Sequence, residues 1–334
     1  MHSIRIKYAL LTICSVIVAL GIATFIGVKS IQKLGNDDAD QMLSLMCKTG
    51  AMNLESYFIS VERSAQTVAS LVQNSLEDMP LDQLGNQVEK ARGLFGEVAY
   101  HTNGVLTYYF RIDPALSEDV KGFWYVNLDG KGFREHEVTD ITQFDTSDTS
   151  RLVWFTVPKA TGKGVWLPPY NTENLDVLVI SYNLPVYWKN QFVGVIGIEI
   201  DCKTLDNVVE NIRLFDSGYA FLMDADSHMI YHPAIKSGQK MFSLPKSLLG
   251  ENTPVQYRFQ DADKKAAWLS LSNGMRLYVS VPISEINKSW QETVWRIVLA
   301  SLVLLTVVSL IILRLTSRLT KPLHDLSEAA RLAN

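Results

Sequence analysis

Cysteine is scarce in this chain, with Cys14, Cys47 and Cys202 the only three among 334 residues. Three thiols cannot build a disulfide framework, and a body of this size needs none. Cys14 falls inside an apolar run, which leaves Cys47 and Cys202 to be read as unpaired buried thiols, with a single bridge as the alternative. The short motifs that carry catalysis are missing as well: there is no phosphate-cradling glycine loop, no nucleophile elbow and no HExxH helix. His228 and His232 are four apart but flank a strand-like run beside Pro233, so they make a poor metal pair. Asp224-Ala225-Asp226 lacks the glycine and closing glutamate of a calcium loop and reads as a hairpin turn. No catalytic residue, metal or cofactor is therefore expected.

Basic charge is also short where it would matter. The formal charge is −4 overall; residues 1–28 carry +2, residues 294–334 carry +3, and the body between them carries −9. An acidic body has no electrostatic footprint for nucleic acid, which excludes DNA and RNA as partners. A composition of 47% hydrophobic, 10% aromatic and 20% charged residues predicts a folded core.

Two runs contain no charge at all, Tyr8 to Val28 and Ile297 to Leu313. As a helix the first rises about 31 Å at about 1.5 Å per residue, enough for the hydrocarbon core of a bilayer. It is too long for the apolar core of a signal peptide, and Thr24-Phe25-Ile26 makes a poor cleavage site, so an uncleaved anchor is expected. The second run reaches full length with Val294 and Trp295, Arg296 snorkelling to the interface between Trp290 and Trp295 as aromatic anchors. Arg314, Arg318 and Lys321 beyond it put that end in the cytoplasm. Two spans then return the N-terminus to the same side and export the body between them, as in a multi-pass protein of the inner (cytoplasmic) membrane.

The fold class follows as α+β. Apolar residues at Leu54, Phe58, Val61, Ala65, Val68 and Val72 repeat at heptad spacing and, extended back through Cys47 and Leu43, predict one long helix ending before Met79-Pro80. Such a helix can pack on its own sheet, form a dimer seam, or do both on different faces. A polar stretch over 80–95 follows, then strand-like runs at Val105–Ile112, Phe123–Asn127, Val177–Val186 and Phe192–Ile200, a short helix over 203–212, and a second set at Tyr219–Met223, Met229–Tyr231, Val255–Phe259, Lys265–Leu271 and Arg276–Val281. Two antiparallel-sheet modules in series are predicted. The expected divisions are a cytoplasmic N-terminus over 1–7, a span over 8–28, a long helix over 29–78, a distal module over 79–202, a proximal module over 203–293, a second span over 294–315 and a linker over 316–334.

Particular residues carry a resemblance. Trp154-Phe155, Gly164-Val165-Trp166-Leu167-Pro168-Pro169-Tyr170, Ile180-Ser181-Tyr182-Asn183-Leu184-Pro185-Val186-Tyr187, Phe192 through Ile200, Gly218 through Asp224, and Ile230-Tyr231-His232-Pro233 resemble, in order and spacing, the double Cache (dCache) sensor domains of bacterial receptors. The resemblance covers about residues 30 to 290. It implies a long helix with tandem PAS-like modules between two transmembrane helices, a homodimer formed through the long helix, and a small extracellular ligand bound in the distal module. Leu319-Thr320-Lys321-Pro322-Leu323-His324-Asp325-Leu326 is similar to the opening of a HAMP linker, with Pro322 at a helix start after a short break.

In the amino-acid-binding subset of that family, an arginine stands two before a Trp-Tyr pair, with a tyrosine sixteen after the tryptophan, a carboxylate two further, and an aspartate on the last strand. Here Trp154 and Tyr170 match, Phe155 replaces the tyrosine of the pair, and Glu199 takes the last acidic position, while Leu152 replaces the arginine and Thr172 the middle carboxylate. Carboxylate and aromatic walls suit an ammonium; the guanidinium for a carboxylate is missing. Arg151 is one residue away and, on a strand, would point to the other face unless the backbone bulges. The expected ligand-contacting set is Trp154, Phe155, Tyr170, Glu199, Arg151, Trp166, Tyr182 and Asp145, for an amine or amino-acid-like ligand.

The resulting expectation is a transmembrane receptor that signals through its second span to a cytoplasmic output, whether a diguanylate cyclase, a histidine kinase or a chemotaxis signalling rod. The alternative is a membrane-tethered binding protein that acts on a separate partner in trans.

Overall fold

A computed structural model describes residues 2–77, 83–172, 174–235, 239 and 250–332, with the backbone alone described at 2–6, 77 and 319–332. Helix α1 (His2–Glu77) is a single rod of 76 residues. No proline interrupts it, so the apolar run and the heptad stretch that the sequence separates become one continuous helix.

Packing divides the chain into two units. One comprises residues 1–42, 261–264 and 281–334. Within it the apolar part of α1 meets helix α5 (Ile283–Leu332): Thr24 Oγ1 donates to Ser301 Oγ at 2.8 Å, and Gly35 lies so close to the Trp290 ring that a Cβ there would sit 2.5 Å from Cδ1. Both helices contain stretches long and apolar enough to cross a membrane. Leu10, Leu11, Phe25, Leu299 and Leu302 are more than half exposed, an apolar surface that lipid would cover. α5 runs without interruption through Leu332, so the short break expected before Pro322 is not seen. The side chains of the HAMP-like segment lie outside the described residues.

The other unit comprises residues 43–260 and 265–280 and holds two sheets. The first has the order β3-β2-β1-β6-β5-β4, built from β1 (Val105–Ile112), β2 (Gly122–Val126), β3 (Arg134–His136), β4 (Val165–Thr172), β5 (Val177–Trp188) and β6 (Gln191–Asp201). Pairing is antiparallel, and its register sets two faces: Tyr108, Ile198 and Tyr182 are cross-strand partners on one, Thr107, Glu199 and Ser181 on the other.

The Tyr108 face packs on α1 and on α2 (Leu84–Tyr100). Phe95 of α2 lies 4.8 Å from Tyr108, and Phe58 of α1 lies 5.0 Å from Trp166. Leu54, Phe58, Val61, Ala65, Val68 and Val72 are all buried here, so the heptad stripe serves the chain's own core. α2 replaces most of the polar stretch expected at 80–95: its apolar positions Leu84, Val88, Ala91, Phe95 and Ala99 do follow helical spacing, diluted by Gly85, Gly93 and Gly96.

The Thr107 face is covered by α3 (Val153–Thr161) and the loop before it. The sequence VWFTVPKAT is rich in strand formers and contains Pro158, which is why it reads as a strand; burial of Phe155 and Thr156 against the sheet decides for helix. β4 carries a bulge between Leu167 and Tyr170, where two prolines fit because the strand is at an edge.

After α4 (Cys202–Glu210) the second sheet follows in the order β8-β7-β11-β10-β9, from β7 (Tyr219–Met223), β8 (Met229–Tyr231), β9 (Val255–Phe259), β10 (Ala262–Ser270) and β11 (Arg276–Pro282). Phe221 and Tyr278 stack at 4.7 Å in its core. Gly50 lets α1 approach: a Cβ would lie 2.7 Å from Ile212 Cδ1 and 2.9 Å from Leu277 Cδ2. Cys47 and Cys202 are free and buried.

Candidate ligand-binding site

Thr107, Glu199 and Ser181 stand side by side on β1, β6 and β5, and Tyr109, Gly197 and Asn183 form the next row. Side chains of both rows join one buried polar network. Glu199 Oε2 accepts from Thr107 Oγ1 at 2.6 Å, and Glu199 Oε1 accepts from the Tyr170 hydroxyl at 2.7 Å. Tyr170 also lies 3.1 Å from Ser181 Oγ, which accepts from Asn183 Nδ2 at 2.7 Å. The Tyr109 hydroxyl closes the chain by donating to Asn183 Oδ1. Gly197 makes that reach possible, since any Cβ there would overlap the Tyr109 ring.

Glu199 is 5% exposed, and among the described residues no lysine or arginine pairs with it. Burial pushes its carboxyl above the usual range, while the hydrogen bonds from Thr107 and Tyr170 pull the other way. Burial first, and the Glu199 charge second, push the Tyr109 and Tyr170 phenols well up, so both remain donors. The arrangement is a carboxylate held by hydroxyls alone, ready for a cation or an ammonium hydrogen-bond donor.

Trp154, the second residue of α3, stands edge-on to Tyr109 at 5.2 Å and 77° and keeps partial exposure, as does Tyr170. Trp154, Tyr170 and Glu199 are thus brought to one side of the sheet. Phe155 lies behind them, fully buried and 5.7 Å from Phe192, as part of the core under α3. Leu152 caps α3 at φ 47° and ψ 44°, a left-handed conformation that a branched side chain seldom takes.

Four expected members lie apart. Trp166 and Tyr182 are on the opposite face, toward α1: Trp166 Nε1 donates to Glu62 Oε1 at 2.7 Å, and Gln66 Nε2 donates to the Tyr182 hydroxyl at 3.3 Å. The residues of β4 and β5 alternate in facing, which the family-like phrases alone do not reveal. Asp145 is exposed and accepts from the amide and hydroxyl of Ser147, hydrogen bonds that hold its carboxyl below the usual range. Arg151 is exposed, lies just before the helix rather than on a strand, and its guanidinium sits 5.6 Å from the Phe144 ring centre.

The cover over this face is tied down at two points. Arg111, 2% exposed on β1, donates to the carbonyls of Thr139, Ile112 and Lys121 at 3.1, 3.0 and 2.7 Å. Lys159 of α3 pairs with buried Asp113 at 2.7 Å and donates to Thr146 at 3.0 Å. Sequence reasoning missed Thr107, Tyr109, Ser181 and Asn183; the available signal was polar residues at alternate positions inside otherwise apolar strands.

The family model for the Cache domain, dCache_1, matches residues 28–290. The chain is 24% identical over 192 residues to methyl-accepting chemotaxis protein PctB of Pseudomonas aeruginosa, covering 54% of this chain and 30% of that one. It is 22% identical over 288 residues to methyl-accepting chemotaxis protein TlpB of Bacillus subtilis, covering 82% of this chain and 41% of that one. The chain therefore spans less than half the length of these relatives. Among solved structures, the sensory domain of the Campylobacter jejuni chemoreceptor Tlp3 (CcmL) with isoleucine bound aligns with a TM-score of 0.54 at 16% identity, over 77% of this chain and 97% of that one. The ligand-binding domain of Mlp24 with asparagine aligns with a TM-score of 0.54 at 22% identity, over 78% and 99%.

Proposed function

This chain belongs to the dCache family of Cache sensor domains, and from that premise we propose that it is the sensing part of a membrane receptor whose distal module binds an amine or amino-acid-like small molecule over Glu199. One observation carries the reading: a carboxylate buried without a cationic partner among the described residues, satisfied only by the hydroxyls of Thr107 and Tyr170, with Trp154 edge-on to Tyr109 on the same face of the sheet. A ligand ammonium supplies the missing charge, and Trp154 and Tyr170 supply aromatic walls. The relatives that carry isoleucine and asparagine support a ligand of this size and class. With Leu152 in place of the guanidinium, the ligand's carboxylate, where it has one, relies on other donors.

The body lies outside the cytoplasmic membrane, with the Tyr8–Val28 and 294–315 segments as spans and both ends inside, in keeping with Arg314 and Arg318 beyond the second span. Two residues after Glu199, Asp201 caps α4, accepting from Lys203 N at 2.9 Å, and α4 packs against β7 and β8. Ligand binding biases this joint by its differential affinity for two arrangements, and β11 leads covalently into α5. A HAMP linker after α5 and an output beyond it complete this reading; a chemotaxis-type output is supported by curated relatives that are methyl-accepting chemotaxis proteins, and two copies pair through α1.

The test is a thermal-shift screen of the chain in nanodiscs against amines, amino acids and carboxylates. A ligand at 100 times its Kd should stabilise by about 2.7 kcal/mol, and Trp154→Ala and Glu199→Gln should each abolish the shift. A shift that both variants retain would move the site elsewhere.

A further inference from the structure

Glu199 is 5% exposed, so a ligand that reaches it must pass the cover made by α3 and the loop before it. The ties that hold this cover down therefore govern entry and exit.

α3 has little intrinsic reason to keep its shape or its place. Nine residues are too few for a stable isolated helix, Val153, Thr156 and Val157 favour strands, and Pro158 removes one amide donor. At the end that carries Trp154, Leu152 stands in a left-handed conformation and no side chain caps the helix. The opposite end is tied. In the last turn, Lys159 Nζ donates to Asp113 Oδ2 at 2.7 Å and to Thr146 Oγ1 at 3.0 Å. One ammonium thus joins α3, the loop before it and the residue that follows β1. The same Nζ lies 5.7 Å and 5.2 Å from the ring centres of Phe155 and Phe192.

Asp113 is a fixed anchor for this tie. Its side chain is 7% exposed, its Oδ1 accepts from Ala115 N at 3.1 Å, and its amide donates to the carbonyl of Val193 at 2.8 Å. The Arg111 tie differs in kind, because a guanidinium in a 2% exposed residue holds backbone carbonyls. Lys159, with its side chain 28% exposed, can pass its charge to water when it lets go. Of the two ties it is the one able to open.

We propose that the Lys159–Asp113 pair is a latch that holds α3 down on the sheet, presents Trp154 beside Tyr109, and sets how fast the cover opens. Lys159 and Trp154 lie toward opposite ends of one short helix, so releasing the first frees the second. Both members of the pair are positioning residues that act without touching ligand. The gating of a ligand over Glu199 rests on the function proposed above; the holding of the cover does not. A ligand enters and leaves through the open cover and is retained by the closed one. A weakened latch therefore speeds association and dissociation together and changes affinity less than either rate. Loss of a direct ligand contact acts on dissociation instead.

The test compares the whole chain in nanodiscs with Lys159→Met, Asp113→Asn, the two combined, and Lys159→Arg. Methionine keeps an apolar stem against Phe155 and Phe192, and asparagine keeps an acceptor for Ala115 N. The combined variant leaves no unpaired buried charge, so the test stands even if Lys159→Met alone loosens the fold. Without ligand, amide exchange over residues 151–163 should be about tenfold faster in the combined variant, with β5 and β6 unchanged and Lys159→Arg near wild type. With 2-phenylethylamine and isoleucine as probes, stopped-flow fluorescence should show both rate constants raised several-fold. Unchanged exchange over 151–163 overturns the latch, whether or not a probe binds. Faster exchange in the variant, with neither probe binding the wild-type chain, supports the latch and counts against the function proposed above. Probe binding with association unchanged or slower in the combined variant overturns the gate.

Discussion

The Tyr170 hydroxyl reaches across from the edge strand to donate to Glu199 Oε1 at 2.7 Å, although β5 lies between their strands. The bulge at Pro168-Pro169 coincides with the register shift that precedes Tyr170. Removing this donor leaves Glu199 with Thr107 alone, so Tyr170→Phe should destabilise the unliganded protein by about 1–3 kcal/mol. Glu199→Gln removes the buried charge and keeps a group of the same shape, and should raise the melting temperature without ligand while abolishing the response to amines. Thermal melts of the two variants check both signs; a lower melting temperature for Glu199→Gln would show that the carboxylate is better compensated than its surroundings suggest.

A pH dependence follows from the same burial. Glu199 has a folded-state pKa above its unfolded value, so the folded state holds its proton longer. Its contribution to stability is full below the unfolded carboxylate pKa, about 4.3, and is lost as pH rises through the raised folded value. A bound cation reverses the preference and expels the proton. Amine affinity should therefore rise with pH across that window, and calorimetry in two buffers of different ionisation enthalpy should register proton release that disappears in Glu199→Gln.

Much of this architecture is legible in the sequence because it depends on local pattern. β1, β7, β8 and β9 fall on the predicted bounds, since each is a short apolar or alternating run between turn residues. α3 escapes because its nine residues favour a strand and only packing of Phe155 against the sheet makes it helical. The candidate site is half legible for a related reason. Trp154, Tyr170 and Glu199 can be found as family-like positions, but Thr107, Tyr109 and Asn183 join them through cross-strand register, which spacing along one chain does not encode. Trp166 and Tyr182 show the converse, family-like phrases whose side chains the pleat turns toward α1.

Asp206 of α4 gives a second titration near the joint between the modules. Burial, with the charges of Asp201 and Glu210, pushes its carboxyl up to about 6, and its Oδ1 has no hydrogen-bond partner among the described residues. The folded protein again binds the proton more tightly, so stability is full below the ordinary aspartate pKa and falls as pH rises through about 6. Asp206 keeps partial exposure, and screening by solvent limits the effect to roughly 1 kcal/mol. Asp206→Asn should raise the melting temperature at pH 7 and flatten its dependence between about pH 4 and 6; an unaltered slope would assign the dependence to other groups.

The last prediction separates the two stripes of α1. Leu54, Phe58 and Val61 are fully buried in the chain's own core, whereas Leu45, Met52 and Ile59 are 66%, 62% and 38% exposed. The exposed three are seven residues apart, the spacing of a coiled-coil seam, and face away from the buried stripe. If two copies pair along this line, Met52→Cys should form an intermolecular disulfide in membranes under oxidation. Changing Leu45, Met52 and Ile59 together to Glu should yield a monomer with little change in melting temperature, because none of the three supports the core. Phe58→Ala should do the opposite, losing about 3–5 kcal/mol of stability while leaving the crosslink register intact. A dimer that survives the triple glutamate change in light scattering would mean that a different face of the chain joins the copies.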